Sequence, residues 1–139
     1  MNEVHQGGCL CGSARYRACG EPVRSQVCHC RYCQIRTGSA FAIVVAFREE
    51  QIAWNGPALT VYEHRSDESG RWIRNHFCSR CGTTVMLGIE RDPSLRIIAG
   101  GTFDDPNWFA IDRHIWTRSA QHWMHIAEEA AKFEKAFVP

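Results

Sequence analysis

Apolar residues in this chain occur mostly in short runs, several of which alternate with polar residues as half-buried β-strands do. The run Phe41–Phe47 is continuously apolar, which predicts a strand buried on both faces. Turn-forming residues such as Gly20, Pro22 and Asp104–Pro106 separate the runs. The predicted strands are Ala14–Ala18, Val23–Val27, Phe41–Phe47, Gln51–Trp54, Leu59–Arg65, Arg71–Phe77, Thr83–Ile89 and Leu95–Ala99.

Helical patterns are less frequent. Cys33–Thr37 is long enough for one helical turn, which Gly38 would end. A hairpin-type turn signal at Asn55–Pro57 lies between two predicted strands. Near the C-terminus an apolar stripe with helical spacing predicts a short helix, and its members are Ile126, Ala130, Phe133 and Phe137. The pattern as a whole predicts a mainly-β fold with a short C-terminal helix, organised as a single domain over residues 1–139.

The composition fits a globular domain and excludes some partners. With 139 residues, 45% of them hydrophobic, the chain can bury a core of its own. A net charge of +1 without a basic stripe gives no general attraction to nucleic acid or to acidic membranes. The longest apolar run, Ala40–Phe47, is too short to cross a bilayer, and Met1–Gly8 lacks the apolar stretch of a signal peptide. We therefore expect a cytoplasmic protein whose clustered cysteines bind metal rather than form disulfides.

Seven of the 8 cysteines fall into three tight clusters, Cys9–Cys11, Cys28–Cys33 and Cys78–Cys81. Residues i and i+2 of an extended segment face the same way, so a Cys-X-Cys pair can act as a clip on one metal ion. The Cys-X-X-Cys spacing within the second and third clusters is that of a zinc knuckle. This arrangement predicts zinc sites.

Seven thiolates divide naturally into a closed set of four and an open set of three. Because Cys28, Cys30 and Cys33 already supply three ligands, the simplest partition groups the other four: Cys9, Cys11, Cys78 and Cys81. The chain then carries two zinc ions, one structural and one with a position open to water or substrate. Alternatively, both metals are structural and a histidine completes the second site, with His64, His76 and His114 as candidates.

Five short motifs follow one another over about residues 7–123. They are Gly7–Gly12 with Arg15 and Tyr16, Cys28–Cys33 leading to Thr37 and Gly38, Phe77–Gly82, Gly101–Pro106, and His114–Trp116 with Ser119 and Trp123. In this order and spacing they resemble the glutathione-dependent formaldehyde-activating enzyme family, often named together with centromere protein V. The sequence departs from the family pattern at Phe103, where a smaller aliphatic residue is common, and at Glu128–Ala131, which replaces the usual Leu-Pro.

The resemblance implies a β-tent zinc fold. It implies that the structural zinc ligands are Cys9, Cys11, Cys78 and Cys81, and that the catalytic zinc ligands are Cys28, Cys30 and Cys33. The implied activity is a reversible carbon–sulfur lyase-type reaction that joins glutathione, as co-substrate, to formaldehyde and gives S-hydroxymethylglutathione.

The residue types allow that chemistry. A zinc ion with three thiolates can bind an incoming thiol and lower its pKa, and its formal charge favours thiol delivery over water activation. The oxygen of the hemithioacetal needs a proton donor, for which the candidates are His29, Tyr32 and His114. His29 would point away from the metal, and His114 would share a strand face with Trp116. Arginines that could pair with glutathione carboxylates are Arg31, Arg36 and Arg113.

Other functions stay open at this point. The same cysteines could staple a binding or scaffold module that has no catalytic activity. A redox enzyme of the methionine sulfoxide reductase B type would need a reactive cysteine outside the metal sites, and Cys19 is the spare thiol. A nucleic-acid zinc ribbon is disfavoured by the balanced charge.

Overall fold

The computed structural model describes residues 3–137 and is mainly β, as the hydrophobic pattern predicts. One α-helix is present in the described chain, α1 at Arg31–Thr37. The strands are β1 Val4–Gly8, β2 Arg15–Cys19, β3 Arg24–Cys28, β4 Ala42–Arg48, β5 Ile52–Asn55, β6 Thr60–Arg65, β7 Trp72–Phe77, β8 Thr84–Ile89, β9 Leu95–Ala99 and β10 Arg113–Ile115. Within residues 3–137 there is no helix of the length and apolarity that a membrane span requires.

The chain forms two compact units. The first consists of Met1–Val23 and Val45–Trp108, and the second of Arg24–Val44 and Phe109–Pro139. Strand β4 contributes residues to each unit, and its residues up to Phe47 are all buried or half-buried, as the apolar run predicts. Each unit contains one group of clustered cysteines.

The first unit is built from antiparallel strands. In one sheet β2 pairs with β1 on one side and with β5 on the other. A second run of strands pairs in sequence order from β6 to β9. The largest side chains in its core are almost completely buried, namely Tyr16, Val45, Phe47, Val85, Leu95 and Ile98.

The predicted hairpin at Asn55–Pro57 is wrong. Strand β5 pairs with β2, and β6 pairs with β7, so this turn connects two different sets of strands. Two contacts direct β5 toward β2. Trp54 packs edge-on against Tyr16 with ring centroids 5.6 Å apart. At Gly56, whose φ is 107°, a Cβ atom would lie 2.0 Å from the carbonyl oxygen of Ser13, so only glycine allows this close approach.

Several motif residues outside the cysteine clusters hold the first unit together. A Cβ atom at Gly7 would lie 2.3 Å from the hydroxyl oxygen of Tyr16, so glycine lets the tyrosine cross the strand. The Tyr16 hydroxyl lies 2.9 Å from the Thr102 hydroxyl, and Arg15 forms a two-pronged ion pair with Asp104. These contacts join β1, β2 and the segment that follows β9.

The second unit is organised around a parallel pair of strands. Strand β10 pairs with β3, and Ile115 lies opposite Cys28. Helix α1 begins three residues after β3 ends, because Cys30 has extended backbone angles and caps the helix. The helix ends at Gly38, whose φ of 68° is in the left-handed region. The predicted helical turn at Cys33–Thr37 is thus confirmed, with an N-terminal extension to Arg31.

The predicted C-terminal helix is wrong. Over the described part of residues 126–137 the chain forms turns and an extended segment that lies along β10. His114 donates its N–H to the carbonyl of Ala131 at 2.8 Å and accepts from the N–H of Phe133 at 3.0 Å. A short isolated helix is marginal, whereas this segment satisfies backbone groups at the free side of a strand. The apolar stripe still packs, since the rings of Phe133 and Phe137 are 4.8 Å apart.

Candidate metal centres

The first unit brings four cysteines together in a group that we call the four-cysteine cluster: Cys9, Cys11, Cys78 and Cys81. Their sulfur atoms all lie within 4.8 Å of one another. The sulfur of Cys11 is 3.6 Å from that of Cys9 and 3.8 Å from that of Cys78. Tetrahedral ligands with Zn–S bonds of about 2.3 Å have sulfur atoms about 3.8 Å apart, so the spacing suits one metal ion.

Two tight turns present these sulfur atoms. In the first, Gly12 donates its N–H to the carbonyl of Cys9 at 3.0 Å, and in the second Gly82 donates to Cys78 at 2.8 Å. Both glycines have a φ of 77°, which residues with a Cβ atom rarely adopt. The turns therefore explain why glycine directly follows the last cysteine of each segment.

Two hydroxyl groups contact the four-cysteine cluster, and the sequence analysis missed both. The Ser13 oxygen lies 3.1 Å from the sulfur of Cys11 and 3.4 Å from that of Cys78. The Thr83 hydroxyl accepts the N–H of Leu10 at 3.2 Å and lies 3.2 Å from the sulfur of Cys81. Hydrogen bonds from Thr83 to that sulfur lower the pKa of Cys81 to about 5. In the sequence, the one indication of this role is that Ser13 and Thr83 each follow the glycine at the end of a cysteine segment.

The second unit contains the three-cysteine cluster, Cys28, Cys30 and Cys33, whose sulfur atoms also lie within 4.8 Å of one another. Cys28 and Cys33 are buried, and Cys30 is half-buried. The end of β3 supplies Cys28, and the first turn of α1 supplies Cys33, whose N–H donates to the Cys30 sulfur at 3.3 Å. Packed around the cluster are Ala42, Tyr32, Val44, Ile115 and Trp116.

Crowded thiols in this cluster share their protons unequally. Hydrogen bonds from Cys28 and Cys33 lower the pKa of Cys30 to about 3. The same hydrogen bond to Cys30 raises the pKa of Cys28 well above its ordinary value. One thiolate is thus stabilised at the expense of its neighbours, and a divalent cation would stabilise all three. The donor set, all sulfur, is one that zinc accepts.

The partition of the cysteines expected from their spacing is the grouping found in the structure. Each group offers only sulfur donors among residues 3–137, so none of the three candidate histidines, His64, His76 and His114, joins a cluster there. His64 and His76 lie on β6 and β7 of the first unit. Cys19, at the end of β2, lies outside both clusters. Both clusters can hold metal ions.

A pair of histidines lies beside the three-cysteine cluster. Nε2 of His29 is 2.9 Å from Nδ1 of His114, and the rings stack with an interplanar angle of 21°. Burial lowers the pKa of His29, and the charge of His114 acts in the same direction. Burial also lowers the pKa of His114, helped by Lys132. Both shifts favour the neutral rings, and one hydrogen bond joins them.

The two histidines differ in exposure. His29 is completely buried, and its Nδ1 has no hydrogen-bond partner among the described residues. His114, in contrast, is half-buried. The expected common face for His114 and Trp116 is not found. Strand β10 ends at Ile115, and the φ of 57° at Trp116 breaks the alternation of an extended strand. Ile115 and Trp116 both pack against the three-cysteine cluster.

The three arginines expected at glutathione carboxylates have different partners. Arg31 donates to Oε1 of Gln34 at 2.7 Å. The guanidinium of Arg113 lies 4.1 Å from the centre of the Phe137 ring. Arg36 donates to the sulfur of Cys33 at 3.8 Å. Of these three arginines, Arg36 is the one that donates a hydrogen bond to a cysteine of the cluster.

Gln34 is a buried residue of this region that the sequence analysis missed. Its amide nitrogen donates to the carbonyls of His29 and Ser119, each at 2.8 Å. Its oxygen accepts from Arg31 and, at 3.3 Å, from Gln121. Gln34 thereby fixes the backbone beside the cysteine cluster. In the sequence, the only indication of this role was the place of Gln34 immediately after Cys33, and a glutamine on the surface of a helix would fit that place equally well.

Fold and cysteine groups define a mainly-β protein with two clusters that can bind metal. The family model of the glutathione-dependent formaldehyde-activating enzyme matches residues 4–119 of the chain. The chain therefore belongs to this family, and the resemblance seen in its motifs is confirmed.

Two individual proteins are similar to the chain. A protein of Halomonas elongata named "Putative glutathione-dependent formaldehyde-activating enzyme" is 28% identical over 93 residues, which are 65% of this chain and 59% of the relative. The chain thus matches about three fifths of that protein's length. A crystal structure of a Rhodobacter sphaeroides protein superposes with a TM-score of 0.55 at 20% identity, covering 71% of this chain and 87% of that one. The latter shows a shared fold.

Proposed function

We propose that the chain is a zinc-dependent carbon–sulfur lyase that joins a thiol, glutathione, to formaldehyde and gives S-hydroxymethylglutathione. The observation that carries the proposal is the three-cysteine cluster, which has three sulfur donors and, among residues 3–137, no fourth. Family membership supports glutathione and formaldehyde as the substrates. We further propose that residues 1–139 form a single β-tent zinc domain and that the protein is cytoplasmic.

We assign two zinc ions to the chain. Cys9, Cys11, Cys78 and Cys81 hold a structural ion, and Cys28, Cys30 and Cys33 hold the catalytic one. Four thiolates complete a tetrahedral site, whereas three leave one position for a ligand. Zinc bound at the three-cysteine cluster would supply an electrophilic site that lowers the pKa of an incoming thiol.

In the reaction, a carbon–sulfur bond forms as the carbonyl double bond of formaldehyde becomes a C–O single bond. The thiol proton leaves the sulfur, and the new oxygen gains a proton, so no oxidant or reductant is needed. A positioned acid that provides this proton typically accelerates such a reaction by about 10²–10⁴-fold. Reversal of the same steps releases formaldehyde.

We assign the proton donation to His114. Its Nδ1 can donate to Nε2 of His29, 2.9 Å away, which leaves Nε2 of the neutral His114 ring free to take up the proton that leaves the thiol and to return it to the new oxygen. His29 is then a positioning residue, because it is completely buried. Tyr32 packs against the cluster as part of its apolar surroundings and helps to exclude water from the sulfur atoms.

The test is exchange NMR on an equilibrium mixture of glutathione, ¹³C-formaldehyde and their adduct. Zinc-loaded protein should raise the exchange rate above the spontaneous rate, and Cys33→Ser should abolish the increase. His114→Gln should lower it by roughly 10²-fold, the low end of general acid catalysis. His125→Gln, at an exposed histidine, is the matched control and should leave the rate unchanged.

Failure of wild-type protein to accelerate exchange while it holds two zinc ions would contradict the enzyme assignment. It would favour the alternative of a zinc-stapled binding module. A normal rate in His114→Gln with no rate in Cys33→Ser would overturn only the assignment of the proton donor.

A further inference from the structure

Arg36 has a position that its expected role at a glutathione carboxylate does not explain. Its Nη2 lies 3.8 Å from the sulfur of Cys33, and its guanidinium carbon lies 5.7 Å from the centre of the Tyr32 ring. Its Nε is buried and has no hydrogen-bond partner among the described residues. The guanidinium is thus turned toward the protein at the three-cysteine cluster.

Helix geometry explains how the arginine reaches the sulfur. Residues three apart lie on the same side of a helix, so Cys33 and Arg36 of α1 are neighbours along one face. Arg31 and Gln34 form a second such pair on the same helix. Because of this spacing, the two arginines of α1 have different partners: Arg31 contacts Gln34, and Arg36 contacts Cys33.

The edge of the guanidinium formed by Nε and Nη2 is one of those that bind a carboxylate in two-pronged fashion. In Arg36 one of these nitrogens contacts Cys33, and the other is buried. This edge is therefore turned toward the protein, with Nη2 at the Cys33 sulfur and Nε buried beside it. A sulfur anion is a suitable partner for it, because hydrogen bonds with an ionised partner are stronger than neutral ones.

The electrostatics of the cluster favour the same role. Three thiolates and one divalent cation carry a net charge of about −1, which is costly for a cluster with two buried cysteines. A guanidinium against one sulfur offsets that charge.

We propose that Arg36 is a positioning residue of the three-cysteine site, which holds the Cys33 sulfur and offsets the negative charge of the metal-bound cluster. The proposal rests on the metal binding assigned under the proposed function. It does not require that glutathione is the substrate.

The test compares Arg36→Lys, which keeps the charge, with Arg36→Met, which keeps the apolar stem without the charge. Each protein is loaded with Co²⁺, and transfer of the metal to a chromogenic chelator is followed together with the sulfur-to-cobalt absorption. The kinetic phase missing in Cys33→Ser belongs to the three-cysteine cluster. In that phase Arg36→Met should release metal roughly tenfold faster, and Arg36→Lys should stay close to wild type. Arg91→Met, at an exposed arginine, is the control.

Two results would overturn the proposal. The first is an unchanged release phase and absorption in Arg36→Met. The second is equal acceleration in Arg36→Met and Arg36→Lys, which would show that the shape of the side chain matters and its charge does not.

A parallel binding measurement separates this proposal from the proposed function. If Arg36 anchors a carboxylate instead, Arg36→Met weakens binding of glutathione but not of 2-mercaptoethanol, and metal release stays unchanged. If neither thiol binds while Arg36→Met still loses cobalt faster, the proposed function fails and the role of Arg36 stands.

Discussion

At the scale of single residues, hydroxyl groups complete the four-cysteine cluster. Thr83 accepts a hydrogen bond from the backbone of Leu10, so its own proton is available to the sulfur of Cys81. One side chain thus links the two cysteine segments. Ser13 lies against the sulfurs of Cys11 and Cys78 in a similar way.

Thr83→Val should weaken metal retention by the four-cysteine cluster, because valine has the same shape but cannot donate to the sulfur. We expect roughly tenfold faster loss of Zn²⁺ to a chelator, as for removal of one hydrogen bond to a charged group. Thr83→Ser should restore retention, and Thr84→Val at the next residue of the chain should have little effect. Equal loss in Thr83→Ser and Thr83→Val would contradict the role of the hydroxyl.

Gln34 illustrates a buried polar side chain that organises its surroundings. Replacing it with methionine leaves the carbonyls of His29 and Ser119 without their donor. We expect a loss of about 2–3 kcal/mol in the free energy of unfolding, measured by denaturant titration. Ile35→Ala, at an exposed position of the same helix, should change it by less than about 0.5 kcal/mol. Similar values for the two variants would show that these hydrogen bonds contribute little.

Some residues of the two cysteine clusters and their surroundings could be predicted from the sequence, and others could not. The cysteines could be grouped from spacing alone because a metal ion imposes the same simple geometry wherever it binds. Ser13, Thr83 and Gln34 could not be found, because serine, threonine and glutamine are ordinary surface residues until the fold brings a sulfur or a carbonyl to them. The role of His29 was open for the same reason: its burial depends on β10, which lies far away in sequence.

At the scale of elements, the alternating pattern predicted most strands, whereas pairing partners were harder to predict. The turn at Asn55–Pro57 has a hairpin composition, yet the packing of Trp54 on Tyr16 directs β5 to β2. The apolar spacing of the C-terminal segment suits a helix as well as it suits an irregular extended segment with half-buried aromatic rings. Tertiary pairing with β10 decides between them, and this pairing is not visible in local sequence.

Removal of the chain after His125 should expose the backbone of β10. The N–H groups of His114 and Trp116, which donate to Ala131 and Lys135, should then exchange with solvent on the order of tenfold faster or more. The N–H of His29, which donates to Ile115, serves as an internal control. Hydrogen exchange followed by NMR gives all three rates. Unchanged protection of His114 and Trp116 would contradict the observed pairing.

At the scale of the whole molecule, the two cysteine clusters should contribute differently to stability. The four-cysteine cluster joins segments about seventy residues apart in sequence, so a metal ion there constrains a long stretch of chain. A structural zinc site contributes on the order of 10 kcal/mol to folding. The three-cysteine cluster spans only six residues, from Cys28 to Cys33, and constrains little of the chain.

Cys78→Ser should therefore lower the melting temperature much more than Cys33→Ser, although each variant should lose one zinc ion per chain. The comparison requires thermal unfolding of both variants together with metal analysis. Equal melting temperatures, with both metal losses verified, would show that the two sites do not divide into structural and catalytic roles.

The central claim is that the three-cysteine cluster binds a thiol through its metal, and calorimetry tests it most directly. Reduced glutathione is titrated into protein that carries two zinc ions per chain, in two buffers with different enthalpies of ionisation. We predict binding with proton release in wild type and in Cys19→Ser, and no such binding in Cys33→Ser. Absence of binding at millimolar glutathione in fully zinc-loaded protein, or unchanged binding in Cys33→Ser, would contradict the account.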